Sequence, residues 1–326
     1  MAELPYWSPV EKEGYVGAQT RWVEFGEGVR AFLAIPESGT PPYRAILVGH
    51  ERYGLVLDSF DVAARFAGYG YVAIAPDMAS KFEGDKVALN KGDIGGGWNN
   101  EIVQSYMAQS YDFLTTLPEV DAGGISAIGF CASGGWAWLL NSVRPDLVAC
   151  ICYYGGGRYD EGLMSKVTAP TLFVYGEKDH TTPIERVFAF RDEVERHIQN
   201  CEVHLVADMP HGWMNDTMKG RYRQKEAEEA WDHIMDFLDR AHGGYFKADE
   251  VHLGFEADFA VDYDFKKSVR YGEGAFPEPS MTNFAALKQD VAEGRAPRDQ
   301  LDAFIGLYPE FFQLHPELLI APTTPR

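Results

Sequence analysis

The sequence predicts an α/β fold: a mostly parallel central sheet, helices on both faces and a C-terminal extension. Three observations carry that expectation. From about residue 40 to residue 243, short apolar runs alternate with longer amphipathic ones. The apolar runs are nearly continuous, which suits strands buried on both faces by crossover helices. The chain has 326 residues, 46% of them hydrophobic, enough for one substantial core and a smaller appendage.

The elements follow in order. Residues 20–36, TRWVEFGEGVRAFLAIP, read as an antiparallel hairpin turning at Gly26-Glu27-Gly28. RAILVGH (44–50) is a buried strand, residues 57–70 a helix ending at glycine, and YVAIAPD (71–77) another strand. Residues 99–118 have helical periodicity and stop at Pro118. Strands are then expected at 125–130, 147–153, 171–176 and 202–207, with helices at 134–143, 184–198 and 221–241. After residue 243 the periodicity weakens and glycines and aromatics accumulate, so the chain divides into 1–243 and an extension, 244–326. Helices are expected in the extension at 281–294 and 298–313. It reads as a lid, a small subdomain or an arm for homo-oligomerisation.

Composition excludes several partners. A net charge of −20 disfavours nucleic acid and anionic membrane. The amino terminus, MAELPYWSPVEKEG, has no apolar leader pattern, no apolar run approaches a membrane span, and a cytoplasmic location is expected. The four cysteines have no framework spacing; Cys150 and Cys152 lie in the apolar run LVACICYYG and read as buried small hydrophobes. With no H-E-x-x-H and no Cys/His cluster at ligand spacing, neither a metal nor a cofactor is expected. GDIGGGW (92–98) lacks the Walker lysine and reads as a loop over the site.

The chemistry is expected at GFCASGG, residues 129–135, a sharp turn between a strand and a helix. A nucleophile there meets free backbone N–H groups and the positive end of a helix, which lower a thiol pKa and hold an oxyanion. The turn departs from G-x-S-x-G in either register, so taken alone it leaves Cys131 and Ser133 both open. Partners for Cys131 arrive in the order acid, then histidine. Asp179 follows the strand in LFVYGEKDHTTP, with Glu177 and His180 as competitors, and His211 follows the strand in VHLVADMPHGWMN. All three lie past the carboxyl ends of strands, where open α/β sheets place their sites. Tyr53 and Trp213 flank these positions and are expected to line the pocket.

Together GFCASGG, YGEKDHTTP, HGWMND and VGHERYGL give residues 20–242 a resemblance to the dienelactone hydrolases. It implies an α/β-hydrolase fold and hydrolysis of a small-molecule ester or lactone by Cys131, His211 and Asp179. It also implies that Glu51 guards the resting thiol, and that the N–H groups of Arg52 and Ala132 form the oxyanion hole. The family's two substrate-binding arginines are not matched: Lys81 and Asn215 stand at their positions. Ser133 stands where the family has glycine, and its Cβ is expected to crowd the turn. The competing expectation is a non-catalytic ligand-binding or scaffold protein on the same fold.

Overall fold

A computed structural model describes residues 4–155, 161–182, 186–189, 200–246, 251–255, 281–294, 301–302, 304–305 and 309–319. Among the described residues, nine strands form one sheet: β1 (Ala18–Phe25), β2 (Val29–Pro36), β3 (Tyr43–Val48), β4 (Val72–Pro76), β5 (Val120–Phe130), β6 (Cys150–Tyr153), β7 (Thr171–Lys178), β8 (Cys201–Pro210) and β9 (Val251–Phe255). Their order is β1-β2-β4-β3-β5-β6-β7-β8-β9. The opening hairpin joins antiparallel, β1 to β2 and β2 to β4. Every other pair is parallel, so β3, β5, β7 and β8 end on one edge of the sheet.

Each face is covered for a legible reason. α1 (Leu57–Gly68) buries Leu57, Phe60, Ala63, Ala64 and Ala67, a stripe at helical spacing. α2 (Lys86–Lys91) is capped by Asp85, whose carboxylate accepts from the Val87 and Ala88 N–H groups, and ends at a left-handed Gly92. α3 (Asn100–Thr115) begins with Asn99 accepting from Ile102 N–H. α4 (Trp136–Asn141) and the short α5 (Glu161–Met164) follow. α6 (Gln224–His242) buries Ala227, Ala230, Trp231, Ile234, Phe237 and Leu238. One core lies between the sheet and α3–α4, the other between the sheet and α1–α6. Each fully buried Leu, Ile, Val or Phe in them contributes roughly 1.5–3 kcal/mol.

The extension starts inside the catalytic sheet, because β9 pairs parallel with β8 from Cys201↔Val251 to Leu205↔Phe255. Weak periodicity concealed this strand. α7 (Met281–Ala292) and α8 (Pro309–Leu314) carry Phe284, Leu287, Phe311 and Phe312, which gather with Phe304 in a small core of their own. The helix expected at 184–198 is described only at 186–189; its remainder, residues 256–265 and the tail 321–326 lie outside the described residues. Among the described residues, no helix is long and apolar enough to cross a membrane.

Candidate active site

β5 is buried from Gly124 to Phe130 and turns sharply at Cys131, whose φ of 55° lies in the left-handed region. A non-glycine residue there is strained, and such strain gathers at functional turns. Two glycines make the turn possible. A Cβ on Gly129 would stand 2.0 Å from the Ser133 carbonyl oxygen, and one on Gly49 would stand 2.5 Å from Ser133 Cβ. Gly49 therefore provides the space that Ser133 occupies, and the expected crowding does not arise. The Ser133 hydroxyl is fully buried, accepts from Phe130 N–H at 2.8 Å and donates to Phe130 carbonyl at 2.9 Å. It laces the end of β5 and has no proton facing a substrate.

His211 and Asp179 are both buried, and His211 Nδ1 lies 2.8 Å from Asp179 Oδ2. Thr181 completes the group. Its hydroxyl donates to Asp179 Oδ1 at 2.7 Å and lies 2.9 Å from His211 Nδ1, and its N–H also donates to Oδ1 at 2.7 Å. Since that hydroxyl proton goes to the carboxylate, Nδ1 carries a proton and Nε2 is left to face the thiol. Burial pushes the Cys131 thiol up, but the charge and hydrogen bond of His211, with the Ala132 N–H, pull harder, and the thiol ends below its ordinary value. Burial pushes His211 down, while Asp179 and Cys131 raise it to about 10. Thiolate and imidazolium thus stabilise one another. Cys150, Cys152 and Cys201 are buried and pushed up by desolvation, as inert thiols are.

The other expected residues divide. Glu51 is buried just past β3, on a loop tied to β5 by Gly49 N–H donating to Ile128 carbonyl at 2.8 Å. It is the strongest charged neighbour of Tyr154, whereas the leading influences on the thiol are burial and His211. Ala132 is exposed and lines a cavity of about 690 Å³ with Trp98, Glu101, Trp136, Leu139 and Leu163. The Arg52 side chain is exposed and donates to Gly92 carbonyl at 2.8 Å. Tyr53 is buried against Val56 and Met218. Trp213 packs edge-on to Tyr154 at 4.9 Å. Asn215 is buried, its side-chain carbonyl accepting from Thr217 N–H at 3.0 Å. Lys81 is exposed and leans toward the hairpin, 3.9 Å from where a Gly28 Cβ would stand.

A family model described as the dienelactone hydrolase family matches residues 29–242. The chain belongs to the dienelactone hydrolase family. A Yersinia pestis protein provisionally named carboxymethylenebutenolidase is 26% identical over 233 residues, 65% of this chain and 84% of its own. Two solved structures share the fold at 22% identity and a TM-score of 0.61. One is provisionally titled a dienelactone hydrolase, from Klebsiella pneumoniae, and covers 68% of this chain and 98% of its own. The other is a dienelactone hydrolase-like promiscuous phosphotriesterase from metagenomic libraries, covering 69% and 99%. As a dienelactone hydrolase family member the chain is a carboxylic ester hydrolase, acting on ester or lactone bonds.

Four residues that sequence reasoning passed over shape this family member's site. Thr181 is one. His50 is another: its Nδ1–H donates to Glu51 carbonyl at 2.6 Å and its Nε2 accepts from Met78 N–H at 3.2 Å. Both bonds together require the neutral ring, and burial pushes its pKa down. Trp98 and Trp136 pack edge-on against it, which docks the glycine-rich loop onto the site. Tyr154, at a φ of 39°, sits edge-on to His211 at 5.2 Å.

Asp58 is the fourth, half-buried in the first turn of α1. Burial, then Asp216, Asp61 and Cys131, raise its carboxyl to about 8. A carboxyl raised on folding binds its proton more tightly in the folded state. Stability is therefore lost as pH rises from the unfolded value near 4 to about 8. Asp58→Asn is expected to leave stability unchanged near pH 4 and to raise it by on the order of 2 kcal/mol at pH 8. Urea denaturation at the two pH values checks this; an equal effect at both would contradict it.

Proposed function

We propose that the protein hydrolyses a small, uncharged ester or lactone through a covalent thioacyl intermediate on Cys131. The observation that carries the reading is the thiol at a strained strand-to-helix turn, lowered by a histidine that is itself bonded to a buried aspartate. In this mechanism the Cys131 thiolate adds to the carbonyl carbon. The N–H groups of Ala132 and Arg52 take the developing negative charge. His211 gives its Nε2 proton to the departing alkoxide, which leaves as alcohol, and Cys131 becomes a thioester. His211 then takes a proton from water, whose oxygen attacks the thioester, and the carboxylic acid and the thiol are released. Asp179 and Thr181 hold the imidazole in the tautomer that serves both steps. The loop that carries Glu51 and the Arg52 N–H is held in place by the bond between His50 and the Glu51 carbonyl.

What favours an uncharged substrate is the charge around the sulfur. Asp179 and Asp58 are negative groups felt by it, and among the described residues the cavity next to Ala132 is lined by Glu101 and by no Lys or Arg. Asn215 is committed to Thr217 and Lys81 points to the hairpin, so neither supports a carboxylate clamp. Matched aryl esters with and without a free carboxylate test this. The neutral ester is expected to have a kcat/KM about tenfold higher or more. A preference for the carboxylate would overturn the substrate reading and bring Lys81 into the site.

A further inference from the structure

Toward the opposite end of β8 from His211, the strand and α6 bring Glu202, His204 and His233 together. We propose that these three side chains form a binding site for a divalent transition-metal ion of the zinc, cobalt or nickel type. Glu202 and His204 are two apart on a strand and so share a face. His233 comes from the helix packed on that face. His204 Nε2 stands 3.6 Å and His233 Nε2 3.5 Å from Glu202 Oε2, and the ligand atoms of all three lie within 4.8 Å of one another. Those separations are long for N–H···O bonds. They match the edge of a coordination tetrahedron, where ligands about 2.0–2.2 Å from the ion stand roughly 3.3–3.6 Å apart.

Three further features fit. His204 Nε2 is shielded from solvent and makes no hydrogen bond among the described residues. A buried polar atom needs a partner, and an ion held with Glu202 and His233 would supply one. Arg240 Nη1 grips the other oxygen of Glu202 at 2.5 Å, its Nη2 reaches Oε2 more loosely at 3.3 Å, and the guanidinium is itself anchored to Asp236 at 2.7 Å. That outer bond orients the carboxylate as ligating carboxylates are oriented elsewhere. A cavity of about 300 Å³, lined by His204, His233, Glu226 and Glu229 among others, opens beside the group. It has room for water ligands, which would complete the coordination. Two imidazoles and a carboxylate select borderline metals over Mg²⁺ or Ca²⁺, which need oxygen shells. The Arg240 charge opposes binding, and the acidic Glu226, Glu229 and Asp236 offset it.

The experiment titrates the untagged, chelator-stripped full chain with Co²⁺ and Zn²⁺. One saturable site is expected, with Co²⁺ visible bands of low coordination number, no thiolate charge-transfer band, and a rise in Tm that Mg²⁺ does not give. His204→Ala and His233→Ala are each expected to weaken binding about 100-fold or more. His233→Gln, on a half-exposed helix position, is the second variant, with folding checked by circular dichroism. Absence of a saturable site in the wild type would overturn the proposal. So would unchanged affinity in folded histidine variants, or a thiolate band that Cys131→Ala removes.

Discussion

Cys131→Ala is expected to lower kcat for ester hydrolysis by about 10⁴-fold or more, with folding intact. The size follows from what the substitution removes. Without the sulfur there is no covalent intermediate, and His211 alone must activate water against an ester positioned for a different nucleophile. The oxyanion N–H groups and the cavity remain, so a small residual rate above solution is expected. The neighbouring hydroxyl does not rescue the variant, because Ser133 is buried with both its bonds made to Phe130. Alkylation gives an independent reading. Iodoacetamide should inactivate the wild type faster than it modifies a model thiol at neutral pH, because the thiol lies below its ordinary value. Activity in Cys131→Ala within tenfold of wild type would remove the cysteine from the mechanism.

The sheet was legible because its physics is local. β3 to β8 are short apolar runs, and burial on both faces leaves such strands little choice of residue. β9 was not legible: VHLGF carries a histidine and a glycine, and its pairing with β8 is a long-range fact. The same division runs through the site. Cys131, Asp179 and His211 announce themselves by chemistry at strand ends. Thr181 and His50 work through bonds to other catalytic candidates, and no spacing encodes those contacts. Asp58 and Asp61 are three apart on one helix face, a visible hint of repulsion, but Asp216 joins them only by folding. The proposed metal site is hidden from ligand spacing for the same reason. Glu202-x-His204 has a strand's period, and its third partner lies on a helix well along the chain.

Asp179→Asn should separate the two halves of the proposed reaction. The substitution keeps the side chain's shape but replaces the acceptor of the His211 Nδ1 proton with a group that can donate. An amide N–H turned toward Nδ1 favours the other tautomer, with the proton on Nε2, where the ring can no longer accept one. The imidazolium also loses the carboxylate that raises it to about 10. Acylation tolerates this better than deacylation. A thiolate is a strong nucleophile and keeps the turn's backbone donors, whereas water needs a base at Nε2. The steady-state rate is therefore expected to fall about 10³-fold, with a burst of alcohol release surviving ahead of it. Because the thiolate loses its paired imidazolium, the acylation limb of the pH–rate profile is expected to move to higher pH. Rapid-quench measurement of the burst and a pH profile of the steady state read both effects. A variant with wild-type turnover and an unshifted profile would mean that Asp179 braces the loop through Thr181 and Thr182 without governing the proton on His211.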